Sequence, residues 1–182
     1  MLLKIQNYFS SKFPTHIRHL HYTVIFLVLA QILLSNGMHL TKQGVIQDTV
    51  IAQTTTWAHI IGGCTFFIVI ILFTAIELKT HGFQYFFPYL WGKFDQIKED
   101  VARLRSMQLP EAKPQGIAAC VQGLGLGAGL LVVFSGLTWF VLWLNDSAYA
   151  YDVRELHKTL TGLIEAYIIG HGALGLLHIV RS

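Results

Sequence analysis

The stretch from Asp152 to Val180 reads DVRELHKTLTGLIEAYIIGHGALGLLHIV. It is long and apolar enough to cross a bilayer, which takes about 20 residues of helix. Yet it carries three histidines, at 157, 171 and 178. Fourteen residues of helix turn through about 1,400°, within roughly 40° of four full turns, and rise about 21 Å. His157 and His171 therefore share one helix face at two depths, and His178 follows on the same face near the end. Asp152 and Glu155 have the spacing of a capping box, with Asp in the Ser/Thr place, so the span is expected over about 153–180. Glu165 sits mid-span and turns away from the face of His157 and His171. An ionisable group at that depth is either a neutral, hydrogen-bonded packing residue or a proton handler.

Three further stretches are long enough to span, at about 15–38, 56–78 and 116–144. Hydrophobic residues make up 53% of the 182 and charged residues 13%, about half the soluble average. Mean hydropathy is +0.52. A soluble chain of this size cannot bury so much apolar surface, and disorder is excluded for the same reason. Strand-like alternation is missing, which leaves helices as the spanning elements. The expected fold is an all-α membrane protein, a single four-transmembrane-helix bundle over residues 1–182. Met1 to Arg18 lacks the apolar core and cleavage site of a secretory signal.

Four spans put both termini and the 79–115 connector on one side. Ten of the thirteen Lys and Arg fall there; Lys42, Arg154 and Lys158 fall opposite. The positive-inside rule makes the richer side cytoplasmic. In the connector, Phe83 to Trp91 form an aromatic cluster that reads as an interfacial anchor. Phe94, Ile97, Val101 and Leu104 then recur at helical spacing, an amphipathic helix on the membrane face, ended by Pro110 and Pro114. The net charge of +3 is spread over loops and gives no argument for nucleic acid. Cys64 and Cys120 form no metal spacing, disulfide framework or covalent haem motif.

A histidine inside a membrane helix is costly and usually faces the bundle interior. Matched for depth, the histidines sort into two pairs, one above the other. His59 lies opposite His157 near the outer side, and His21 opposite His171 nearer the cytoplasm. His19 is the rival of His21, since the two point to nearly opposite faces. His16 reads as interfacial; His39 and His81 fall in loops. Two stacked bis-imidazole sites suit two non-covalent b-type haems. Such iron is six-coordinate and suited to one-electron transfer. Glycines at 62, 63, 123, 125, 127, 129, 162, 170, 172 and 175 would let a flat ring approach the backbone, or serve ordinary small-residue packing. Arg18, Arg154 and Lys158 stand beside these positions and either meet haem propionates or mark helix ends.

This pattern resembles the prokaryotic cytochrome b561 family, which is similar in plan to the membrane cytochrome b subunits of formate dehydrogenases and nickel–iron hydrogenases. The likeness is carried by His21-Tyr22-Thr23, by Trp57-Ala58-His59-Ile-Ile-Gly62, and by Leu156-His157-Lys158 through Gly170-His171-Gly172 with its 14-residue spacing. The resemblance implies His21, His59, His157 and His171 as haem iron ligands. It implies an electron carrier in the bacterial inner membrane, linking a soluble or periplasmic partner at the outer face to quinone near the cytoplasmic side. Quinone would then lie near His21 and His171, with Arg18, Gln122 and His178 as neighbours.

Two other classes were weighed. Some stand-alone members of that family oxidise superoxide and pass the electron to quinone. By count, the outer face sets Lys42, Arg154 and Lys158 against Asp48, Asp146, Asp152 and Glu155 and is not strongly cationic, so an anion would be steered weakly. A non-redox protein whose histidines bind zinc or only pack is the third class, but zinc wants four ligands close together.

Overall fold

The computed structural model describes the backbone of residues 14–181 and side chains as far as residue 177. Four helices qualify by length and composition as membrane spans. They are α1 (Thr15–Ser35), α2 (Val50–His81), α5 (Ile117–Leu144) and α6 (Ala150–Arg181). Between α2 and α5 lie α3 (Phe83–Phe86), a 3₁₀ turn (Pro88–Trp91) and α4 (Asp95–Arg105).

Local chemistry moves several expected boundaries. The first span stops at Ser35, three residues early, because the Ser35 hydroxyl and the Asn36 amide both donate to the Ile32 carbonyl. The second begins at Val50, six residues early. The Thr49 hydroxyl accepts from Ala52 N–H at 3.2 Å, satisfying a donor left free at the first turn. The fourth begins at Ala150, so Asp152 lies inside the first turn and the expected capping box does not form. Glu155 instead takes Lys158 Nζ at 3.1 Å.

Helix neighbours run α1–α2–α5–α6 in sequence, and neither α1 nor α2 packs its backbone closely on α6. The bundle thus has an open seam between its first and last helices. Its core lies across α1, α2 and α5, where Phe66, Ile70 and Val133 are buried against Val24, Leu27, Val28, Phe67, Phe73 and Leu130.

Each end is closed differently. At one end, residues 36–49 fold back through an antiparallel bridge, Leu40 to Ile46. Trp143 Nε1 donates to the Gly44 carbonyl at 2.9 Å, and an Arg154 guanidinium nitrogen donates to that of Thr41 at 2.9 Å. Gly44 has φ +83° and faces the Trp143 ring, which bars a side chain on both counts.

At the other end the aromatic cluster does more than anchor. Phe86 is 1% exposed and seats against Gly123, where a Cβ would strike it. His81 is the last residue of α2, not a loop residue; its ring lies 4.7 Å from Tyr85. Helix α4 ends at Arg105, ahead of both prolines, with Met107 at φ +58°. Asp100, an acidic residue of α4, is buried. Its Oδ2 accepts from Ile117 N–H at 2.8 Å and its Oδ1 from Gln96 Nε2 at 2.9 Å.

Glu99 ties α4 to the following loop. It bonds Lys113 Nζ at 3.2 Å and Arg103 at 3.1 Å, and Lys113 above all holds its carboxyl below the usual range. A depressed carboxylate stabilises above its unfolded pKa and loses that contribution as pH falls through the folded value. Cleavage by an acid-active protease between 106 and 116 is therefore expected to rise only below the ordinary carboxylate range. In Glu99→Gln that acid-dependent rise should be absent.

Candidate functional site

The histidines meet along α6, which faces α2 at one level and α1 at the other. His59 on α2 faces His157 on α6 with ring centres 6.3 Å apart and planes at 79°. His21 on α1 faces His171 on α6 at 6.4 Å and 88°. His19, by contrast, is exposed, so the structure brings His21 to His171. Along α6 the two levels are separated by 14 residues, about 21 Å.

These separations carry chemical meaning. A metal–imidazole bond is about 2 Å, and a ring nitrogen lies about 1 Å from its ring centre. Two imidazoles on opposite sides of one metal thus have centres about 6 Å apart. Rings merely packed together approach to about 4.5 Å and upward, so the spacing alone admits both readings; the nitrogens decide between them.

At the His59/His157 level both Nδ1 atoms are engaged. His59 Nδ1 lies 3.2 Å from the Gln31 carbonyl oxygen. His157 Nδ1 lies 3.1 Å from the Val132 carbonyl and 3.0 Å from Ser135 Oγ. A ligating histidine almost always donates its other N–H in this way, fixing tautomer and ring orientation. Here that leaves each Nε2 for a metal. The His157 ring also rests on Gly136, where a Cβ would lie 2.9 Å from Cε1. With its amide nitrogen toward His59, the Gln31 side chain lies 2.9 Å from the His59 carbonyl and 3.0 Å from His59 Nδ1, and its oxygen accepts from Gly63 N–H at 3.3 Å. That amide occupies the space of a Gly62 side chain, so Gly62 admits Gln31 rather than a cofactor ring.

The same level opens into a cavity of about 390 Å³, lined by both histidines, Gly63, Gly136, Thr161, Arg154 and Lys158 among others. That volume lies in the range of cofactor sites, roughly 300–1,000 Å³. Glu165 lines it too, which corrects the expectation that it turns away. Thr161 and Glu165 follow His157 at four-residue spacing on α6, drifting about 80° round the helix while still lining the cavity. At the cavity mouth Arg154 and Lys42 both lie over the Tyr151 ring, at 5.3 and 5.7 Å from its centre.

The His21/His171 level is held by aromatic faces. Tyr167, one turn before His171, stacks on it at 5.0 Å and 13°. Phe73 stacks on His21 at 6.1 Å. Tyr167 can lie there because Gly125 has no Cβ to strike its ring. Gly123 and Gly129 likewise seat Phe86 and Ile70, whereas Gly127, Gly162, Gly170, Gly172 and Gly175 face open space.

The expected quinone neighbours are less informative. Arg18 bonds Thr15 at 3.2 Å in the first turn of α1. Gln122 is half-buried near the start of α5. The side chain of His178 lies outside the described residues. Among the described residues no three His, Cys, Asp or Glu side chains converge as a metal-holding group, so a closed zinc site has no ligand set there.

A bundle of four apolar helices with two levels of facing imidazoles has the plan of a multi-pass membrane haem protein. The chain belongs to the prokaryotic cytochrome b561 family, whose model matches residues 12–182. Its membership implies transmembrane electron transfer by b-type haem. No curated protein and no solved structure gives a match.

Proposed function

We propose that this chain moves electrons across the bacterial inner membrane through two b-type haems, one between His59 and His157 and one between His21 and His171. The supporting observation is the pair of facing imidazoles at 6.3 and 6.4 Å on two levels. A bound haem supplies a one-electron couple whose potential follows its ligands, their hydrogen bonds and burial.

The chain's own residues supply the rest. The four imidazoles would hold the two haems, one facing pair to each. The Gln31 carbonyl holds the Nδ1 proton of His59, and Ser135 Oγ together with the Val132 carbonyl holds that of His157. The apolar core of Phe66, Ile70 and Val133 keeps water out between the levels. Arg154 and Lys158 line the cavity and are suited to carboxylates of the macrocycle. By the positive-inside distribution, the His59/His157 level is the outer one. Electrons would pass between a redox partner there and quinone at the inner level, with Arg18, Gln122 and His178 as quinone neighbours.

Superoxide as donor is the second reading. It gains from the meeting of Lys42 and Arg154 at Tyr151, beside the cavity that Lys158 also lines. Glu155, which pairs with both Arg154 and Lys158, offsets part of that charge.

The test is a reduced-minus-oxidised spectrum of purified protein, with haem quantified per chain as pyridine haemochrome. Two b-type haems per chain are expected. One would overturn one of the two pairs, and none would overturn the electron-transfer reading. Direct reduction of both haems by superoxide would favour the second reading over a protein donor.

A further inference from the structure

Ser135 is a lone hydroxyl in the middle of α5, in the apolar run Leu130 to Leu137, and it is nearly buried, at 9% exposed. Its Oγ lies 3.0 Å from His157 Nδ1 and 2.9 Å from the Val132 carbonyl oxygen. That carbonyl also lies 3.1 Å from His157 Nδ1 and is the α-helical acceptor of Gly136 N–H. One arrangement of protons satisfies all of these groups. The Ser135 hydroxyl donates to Val132. His157 Nδ1–H, arriving at a carbonyl already shared by two donors, is received by Ser135 Oγ with Val132 as the second acceptor.

The neighbouring glycine completes the seat. Gly136 lets the ring edge come down on the helix backbone, and Ser135 catches the nitrogen. The ring is thereby held at 79° to His59. At the other level His171 is stacked on Tyr167.

We propose that Ser135 is a positioning residue for the haem between His59 and His157. It locks the His157 tautomer and ring plane and lowers the potential of that haem relative to the other. The inference rests on the ligand assignment above. Its physical basis is that a hydrogen bond from the distal N–H raises the basicity of a ligating imidazole. A more basic ligand favours the oxidised metal. The angle between the two ring planes, in turn, governs the anisotropy of the low-spin ferric EPR signal, which is strongest when the planes are perpendicular.

The experiment is a redox titration with EPR of purified Ser135→Ala, Ser135→Thr and wild type. In Ser135→Ala both haems should be retained, because the Val132 carbonyl still accepts from Nδ1. One haem should titrate higher, so that several-fold more of it is reduced at its wild-type midpoint. Its EPR signal should become less anisotropic, while the second haem stays unchanged as an internal reference. Ser135→Thr, which keeps the hydroxyl, should restore both properties.

Wild-type potentials and spectra in Ser135→Ala would overturn the proposal. So would a shift that Ser135→Thr fails to restore, since packing alone would then explain it. If Ser135→Ala loses a haem outright, restoration by Ser135→Thr supports the proposal and its failure overturns it. Failure of the underlying ligand assignment looks different: His157→Ala would then keep two haems, whatever Ser135 does.

Discussion

Replacing His157 with alanine is expected to yield a protein with one haem per chain in place of two, unable to carry electrons across the membrane. The methyl group cannot ligate, and His59 is left with no partner 6.3 Å away. His171→Ala should also halve the haem content, but by removing the other haem, since its partner is His21 at 6.4 Å. Redox titration separates the two cases, because each variant should retain a different one of the two wild-type potentials. The double variant should hold none. If both single variants lost the same haem, the pairing by level would be wrong. If either kept two haems, the ligand would be another residue.

The second large effect concerns the fold alone. Asp100→Ala is expected to cost on the order of 2 kcal/mol, the combined loss of a helix cap and a buried partner. The carboxylate is 1% exposed and takes the first N–H of α5 and the Gln96 amide. Gly116 leaves room only for the carboxylate, not for a further side chain. For a chain of this size the loss corresponds to a drop in Tm of roughly 4–8 °C, read by circular dichroism in detergent. Asp100→Asn keeps one acceptor and should fall less. Haem content at both levels should be unchanged at low temperature, because Asp100 touches neither pair. An unshifted melting curve for Asp100→Ala would show that the connector does not hold α5 in place.

The large elements were legible because length and hydropathy are properties of the sequence alone. Four apolar runs became four helices, and the fourteen-residue spacing on α6 became two levels of imidazoles. The pairing survived even though the helix starts were misplaced. Val50 and Ala150 begin α2 and α6 earlier than expected, so His59 and His157 both moved deeper, and their match in depth persisted. What was not legible depends on contacts between distant segments. Nothing in Glu99-Asp100-Val101 says that the middle residue will bury itself under α5. The Gln31 clamp on His59 and the Tyr167 stack on His171 needed the partner helices in place. Ser135-Gly136 left a trace, a hydroxyl and a glycine inside an apolar run, but that trace is shared with ordinary small-residue packing. Glu165 shows the limit of angular reckoning on one helix, since a cavity can be wider than the face that defines it.

The seam between the first and last helices has a bearing on how the protein is made. Helix α6 provides one imidazole at each level, and it is the last span of this sequence to leave the ribosome. Until then α1 and α2 present only half-sites. Under the proposed ligand assignment, a nascent chain stopped before residue 157 would hold neither haem between two imidazoles. Loading would then follow translation of α6, and a product truncated before it would lack haem colour.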